Sequence, residues 1–124
     1  MSPVREATSN RLILLRSMSE AQWMSKVREI AKRYGWTSYH TRNSKGSDHG
    51  WPDLVIAHAG QRRTVFAELK KEAGKVTPAQ RTWLEHLASC GFEVAVWRPR
   101  DEDEVLAVLG PQKLRATWAE GGAS

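Results

Sequence analysis

Cysteine is almost absent: Cys90 is the only one in 124 residues. No disulfide can form within the chain, so a reducing compartment suits it. The four histidines (His40, His49, His58, His86) are scattered. No Cys or His pair sits at the spacing of a structural zinc site. Long apolar runs are also missing. Stretches such as Leu12–Leu15 stop far short of the ~20 residues a membrane span needs. The first residues include Glu6 where a signal peptide would carry its apolar region. Repeats and low-complexity segments are absent. The length suits one domain with one core.

What the chain does have is positive charge and tryptophan. Nineteen Lys and Arg against fourteen Asp and Glu give a formal net charge of +5. Such a balance favours polyanionic partners, nucleic acid among them, though a merely soluble basic surface has the same composition. Six tryptophans are many for this length.

The pattern of apolar residues sets out the elements. Residues 1–18 form an extension in which Arg11–Arg16 reads as a strand, a helix or a dimer contact. A helix is predicted over 20–34: Ser19 and Gln22 make a capping box, and Trp23, Met24, Val27, Ile30, Ala31 and Tyr34 recur at helical spacing. Gly35 ends it. Strands follow at 36–42, 53–58 and 64–70, with Gly60-Gln61 as a two-residue hairpin turn between the last two. A second helix over 78–89 opens on Thr77, Pro78 and Gln80, another capping box. A fourth strand spans 92–97. Asp101 and Glu104 cap a last helix that Gly110-Pro111 ends. Cys90, at a helix end, is read as a small core residue. Gly121–Ser124 reads as a frayed tail.

The order is αβββαβα. Three antiparallel strands and a βαβ crossover give a mixed four-stranded α/β sheet flanked by helices. The domain proper is taken as 19–110, with 1–18 an N-terminal extension and 111–124 a C-terminal extension.

The hairpin register carries the chemistry. With Gly60-Gln61 at the turn, counting outward sets Asp53 opposite Glu68, on one face of the sheet. Alternation adds Lys70 to that face. Two carboxylates at ~5 Å repel by about 3 kcal/mol at an effective dielectric of ~20. A divalent cation compensates this best, and Mg²⁺ prefers one or two carboxylates plus phosphate oxygens and water. The bland reading is a solvated hairpin end with a surface Glu–Lys pair. Glu20 shares a face with Met24 and Val27 and points toward the sheet, or else only favours the helix dipole. Gln80 either reaches the site or only completes its cap. Arg42, Lys45, His49, Lys71 and Lys75 are candidates for phosphate contacts. Trp51 and Trp36 are candidates for stacking on unpaired bases, with a core role equally open to Trp36.

These residues resemble a known signature. Gly50-Trp51-Pro52-Asp53, then Glu68-Leu69-Lys70, is similar to the PD-(D/E)xK nuclease motif. With Ser19-Glu20-Ala21-Gln22 and Thr77-Pro78-Ala79-Gln80, the set resembles the VRR-NUC branch, the virus-type replication-repair nucleases, in its stand-alone phage form. The resemblance covers about residues 19–100. Trp51 departs from the smaller aliphatic residue usual there.

The resemblance implies a restriction-endonuclease-like core and a structure-specific DNA endonuclease. Asp53, Glu68 and the Leu69 carbonyl would ligate Mg²⁺ or Mn²⁺. Lys70 would orient or activate the attacking water. Glu20 would hold a water on the metal, or a second metal, and Gln80 would support the site or substrate. Stand-alone members resemble Holliday-junction resolvases and dimerise, which suits branched DNA. It also implies the cytoplasm of a bacterium or phage-infected host. Three other readings stay open: a non-cleaving branched-DNA-binding module, a subunit needing a helicase or restriction partner, and a basic protein with no nucleic-acid role.

Overall fold

The computed structural model describes residues 3–41 and 48–111. Helix α1 (Pro3–Ser17) precedes α2 (Glu20–Arg33), strands β1 (Thr37–His40), β2 (Leu54–His58) and β3 (Arg63–Leu69), then α3 (Pro78–Ser89), β4 (Glu93–Trp97), a 3₁₀ turn (Pro99–Asp101) and α4 (Glu102–Leu109). The predicted order is found, with one helix added in front. Of the three readings open for 11–16, helix is the one adopted. The tail at 121–124 lies outside the described residues.

The sheet runs β1-β2-β3-β4. β1, β2 and β3 are antiparallel neighbours, and β4 returns parallel to β3. The crossover through α3 makes that pairing possible. Alternation splits the sheet into two faces. Leu54, Ile56, Val65, Ala67, Leu69 and Trp97 lie in one buried cluster with Trp23, Val27 and Ile30 of α2 and Val105 and Leu109 of α4. Glu68 and Lys70 have the opposite parity on β3, toward α3.

Tryptophan holds this core by both its ring and its N–H. Trp23 Nε1 donates to the Trp97 carbonyl at 2.9 Å, tying α2 to the end of β4. Trp97 Nε1 donates to Glu104 Oε2 at 3.1 Å. Trp36 is buried and donates to the Leu109 carbonyl at 2.8 Å. It also packs edge-on against His58 and lies under the Arg63 guanidinium. Its core role displaces base stacking.

Three local expectations need correction. The β2–β3 connection is a four-residue loop, and its left-handed residue is Arg62 (φ 54), not Gly60. Arg62 N still donates to the Ala59 carbonyl, and the loop is centred on Gly60-Gln61. Its evenly placed extra residues leave the register unchanged. Asp101 does not cap α4; its carboxylate accepts from Arg98 N at 2.8 Å and closes the 3₁₀ turn. Cys90 is not a core residue: it is exposed at the C-cap of α3. No helix among the described residues is long and apolar enough to cross a membrane.

Candidate active site

The β2–β3 pairing ends at Leu54 opposite Ala67. One step further it sets Asp53 beside Glu68, close enough for its carboxylate to raise the Glu68 pKa. Asp53 lies where the ladder has stopped. Its Oδ2 accepts from Leu69 N at 3.0 Å, so the side chain takes the place of a main-chain partner. Thr41 fixes the other side, donating from N to the Asp53 carbonyl at 2.9 Å and from Oγ1 to the Pro52 carbonyl at 3.1 Å.

Pro52 has a role in this geometry. The same register, extended two steps, sets it opposite Leu69. An ordinary residue there would donate its N–H to the Leu69 carbonyl, but proline has none to give. The Leu69 carbonyl is thus denied its ladder donor beside two carboxylates.

Glu68 is 1% exposed and Lys70 9% exposed. Burial, then the Asp53 carboxylate, push the Glu68 pKa up to about 8, and Lys70 opposes the shift. Both available donors converge on one oxygen. Gln80 Nε2 donates to Glu68 Oε2 at 2.7 Å, and Lys70 Nζ lies 3.6 Å from the same atom. Glu68 Oε1 is buried with no hydrogen-bond partner. An orphaned carboxylate oxygen costs about 1–3 kcal/mol or more, which a cation would relieve.

Gln80 therefore fills both roles left open for it. The capping boxes at Ser19–Gln22 and Thr77–Gln80 form as the sequence predicts. Only the second also reaches a site carboxylate.

Asp53 stands between two cavities. One, of about 360 Å³, is lined by Glu20, Met24, Ser25, His40, Asp53 and Leu69. The other, of about 210 Å³, is lined by Thr41, Asp48, His49, Trp51, Asp53 and Gln80 among others. Glu20 thus shares a cavity with Asp53 and Leu69. Among the described residues no group of three or more His, Cys, Asp or Glu side chains could hold a metal alone. Two carboxylates, a carbonyl and solvent remain, a donor set that suits Mg²⁺ or Mn²⁺.

The phosphate candidates are less gathered. His49 is exposed on the rim of the smaller cavity. Lys71 and Lys75 are exposed on the segment between β3 and α3. Arg42 and Lys45 lie outside the described residues. Trp51 is half-buried, its ring edge-to-face with Phe66 at 5.7 Å and Trp83 at 4.9 Å. His40 and Thr41 were not singled out from the sequence. The β1–β2 register would have found them, because His40 pairs with Leu54. The long connection between those strands hides that register.

The model of the VRR-NUC domain family matches residues 6–101. A solved VRR_NUC domain protein is 24% identical, with a TM-score of 0.53 over 75% of this chain and 91% of that one. That likeness shows the fold. No curated protein matches the chain.

Proposed function

The chain belongs to the VRR-NUC domain family, a family of nucleases, and from that premise we propose that it hydrolyses phosphodiester bonds in DNA at Asp53, Glu68 and Lys70 with Mg²⁺ or Mn²⁺. The observation that carries this reading is the orphaned Glu68 Oε1, buried beside Asp53 and turned away from both donors. Structure-specific cutting of branched DNA, four-way junctions included, is the substrate side of the proposal. A homodimer is its quaternary side, with α1 as the contact.

Asp53, Glu68 and the Leu69 carbonyl would hold the cation, with Glu20 facing it across the larger cavity. Once bound, a divalent ion supplies Lewis acidity at the phosphate and lowers the pKa of water. The protein's own groups do the rest. Lys70 is anchored in the sheet by its N–H to the Trp97 carbonyl at 3.0 Å. Its ammonium, buried beside Glu68, orients the attacking water and steadies charge developing on the phosphate. Gln80 keeps Glu68 Oε2 occupied. His49, Lys71 and Lys75, with Arg42 and Lys45, would contact flanking phosphates, and Trp51 would meet bases at the rim.

The test is cleavage of a panel of junctions, flaps, single strands and duplex with Mn²⁺. Asp53→Ala and Lys70→Ala are each expected to lower the rate by about 10²–10³-fold, with circular dichroism unchanged. Cleavage at the wild-type rate in either variant would overturn the assignment. DNA binding without cleavage by the wild type would favour a non-cutting module.

A further inference from the structure

The Gln80 amide has two ends of the same shape and opposite hydrogen-bonding sense. Its Oε1 accepts from Thr77 N at 2.9 Å. Thr77 Oγ1 in turn accepts from Gln80 N at 3.2 Å. The oxygen is therefore committed to the helix cap, and Nε2 is the end left to face Glu68 Oε2. A flipped amide would set two donors together at Thr77 and two acceptors together at Glu68. The cap thus decides which oxygen of Glu68 is held and which is left without a partner.

A second observation brings Asp53 to the same turn. Gly50 lies against Ala79, the residue before Gln80. A Cβ built on Gly50 would come within 2.5 Å of the Ala79 carbonyl carbon. Gly50 precedes Asp53 by three residues, so the loop that delivers Asp53 is seated on the turn that holds Glu68.

We infer that the capped first turn of α3 is a positioning device of the active site: the Thr77 hydroxyl holds the turn through Gln80 N, the Thr77 main-chain N–H so placed fixes the direction of the Gln80 amide, and the amide turns Glu68 so that Oε1 is the oxygen offered to the cation. Thr77 acts through Gln80 and is a positioning residue, not a catalytic one. The inference rests on the nuclease reading above and adds a residue to it.

Three variants of the full chain test it: Thr77→Val, Thr77→Ser and Gln80→Leu. Gly91→Ala, at the far end of the same helix, serves as the control. Mn²⁺ binding is measured by calorimetry without DNA, and kcat and KM on a cleaved DNA, all well below each variant's Tm. Thr77→Val and Gln80→Leu are expected to weaken Mn²⁺ binding by about tenfold. They should lower kcat while leaving KM for DNA unchanged. Thr77→Ser should restore both. The Gln80 side-chain amide protons should shift in the NMR spectrum of Thr77→Val, reporting loss of the fixed orientation. Wild-type affinity and kcat in Thr77→Val would overturn the inference, as would equal losses in Gly91→Ala. An inactive wild type that binds no Mn²⁺ would overturn the nuclease reading, and this inference with it.

Discussion

Glu68 sits against Asp53 with almost no solvent, and its carboxyl holds a proton to about pH 8. The unfolded chain releases that proton near the ordinary value of 4.5. Between those values the folded state binds the extra proton. Its contribution to stability is present below the ordinary value and is lost as the pH rises through about 8. The metal-free protein should therefore lose stability from about pH 5 to about pH 9. Glu68→Gln, which carries no titrating proton there, should lose less. A cation takes the proton's place, so Mn²⁺ should bind more tightly as pH rises and should release a proton. Thermal melts with and without Mn²⁺ check this. Parallel pH profiles for the wild type and Glu68→Gln would count against a buried, proton-holding Glu68.

Two glycines flank α3, and they separate backbone strain from crowding. Gly91 (φ +93) has open space where a Cβ would stand, whereas Gly50 (φ +88) has the Ala79 main chain. Gly91→Ala should cost about 1 kcal/mol, the cost of a left-handed alanine alone. Gly50→Ala adds a clash with helix backbone and should cost about 3 kcal/mol. It should also lower cleavage, because Asp53 shares the displaced loop. Urea melts give both values, and equal costs would mean that the Gly50–Ala79 approach is not rigid. Much of this architecture was legible beforehand. Both capping boxes are local, and each is found as read. The Asp53–Glu68 register follows from the centre of the hairpin loop, so mistaking its length did no harm. Pairing across the long β1–β2 connection was not legible, and His40 was missed with it. The choice between Gln80's two roles depended on a contact twelve residues away in sequence. Cys90 is exposed, not buried, because exposure at a helix end depends on what packs against it, which periodicity does not report.

Over the whole molecule, a net charge of +5 surrounds a site whose own groups are acidic. The long-range field favours DNA while the local carboxylates repel it, so phosphate would be admitted to the site only with a cation in place. Helix α1 raises a separate question of partners. Leu12, Ile13 and Leu14 are 44%, 64% and 67% exposed, while Leu15 is buried. Successive residues fan around a helix by about 100°, so these four leave this one turn of α1 apolar on most sides. An exposed apolar turn of that kind marks a contact surface, and a second copy of this chain is the cover proposed above. Replacing Ile13 and Leu14 together by Glu removes the apolar surface without touching the main core. The wild type is expected to sediment as a dimer and the double variant as a monomer with the same circular dichroism. Because no described residue of α1 lines either cavity beside Asp53, the monomer should keep its Mn²⁺ affinity. It should lose only cuts that need two sites on one junction. A wild type that sediments as a monomer at micromolar concentration would remove α1 as the contact, and with it the paired cutting of four-way DNA.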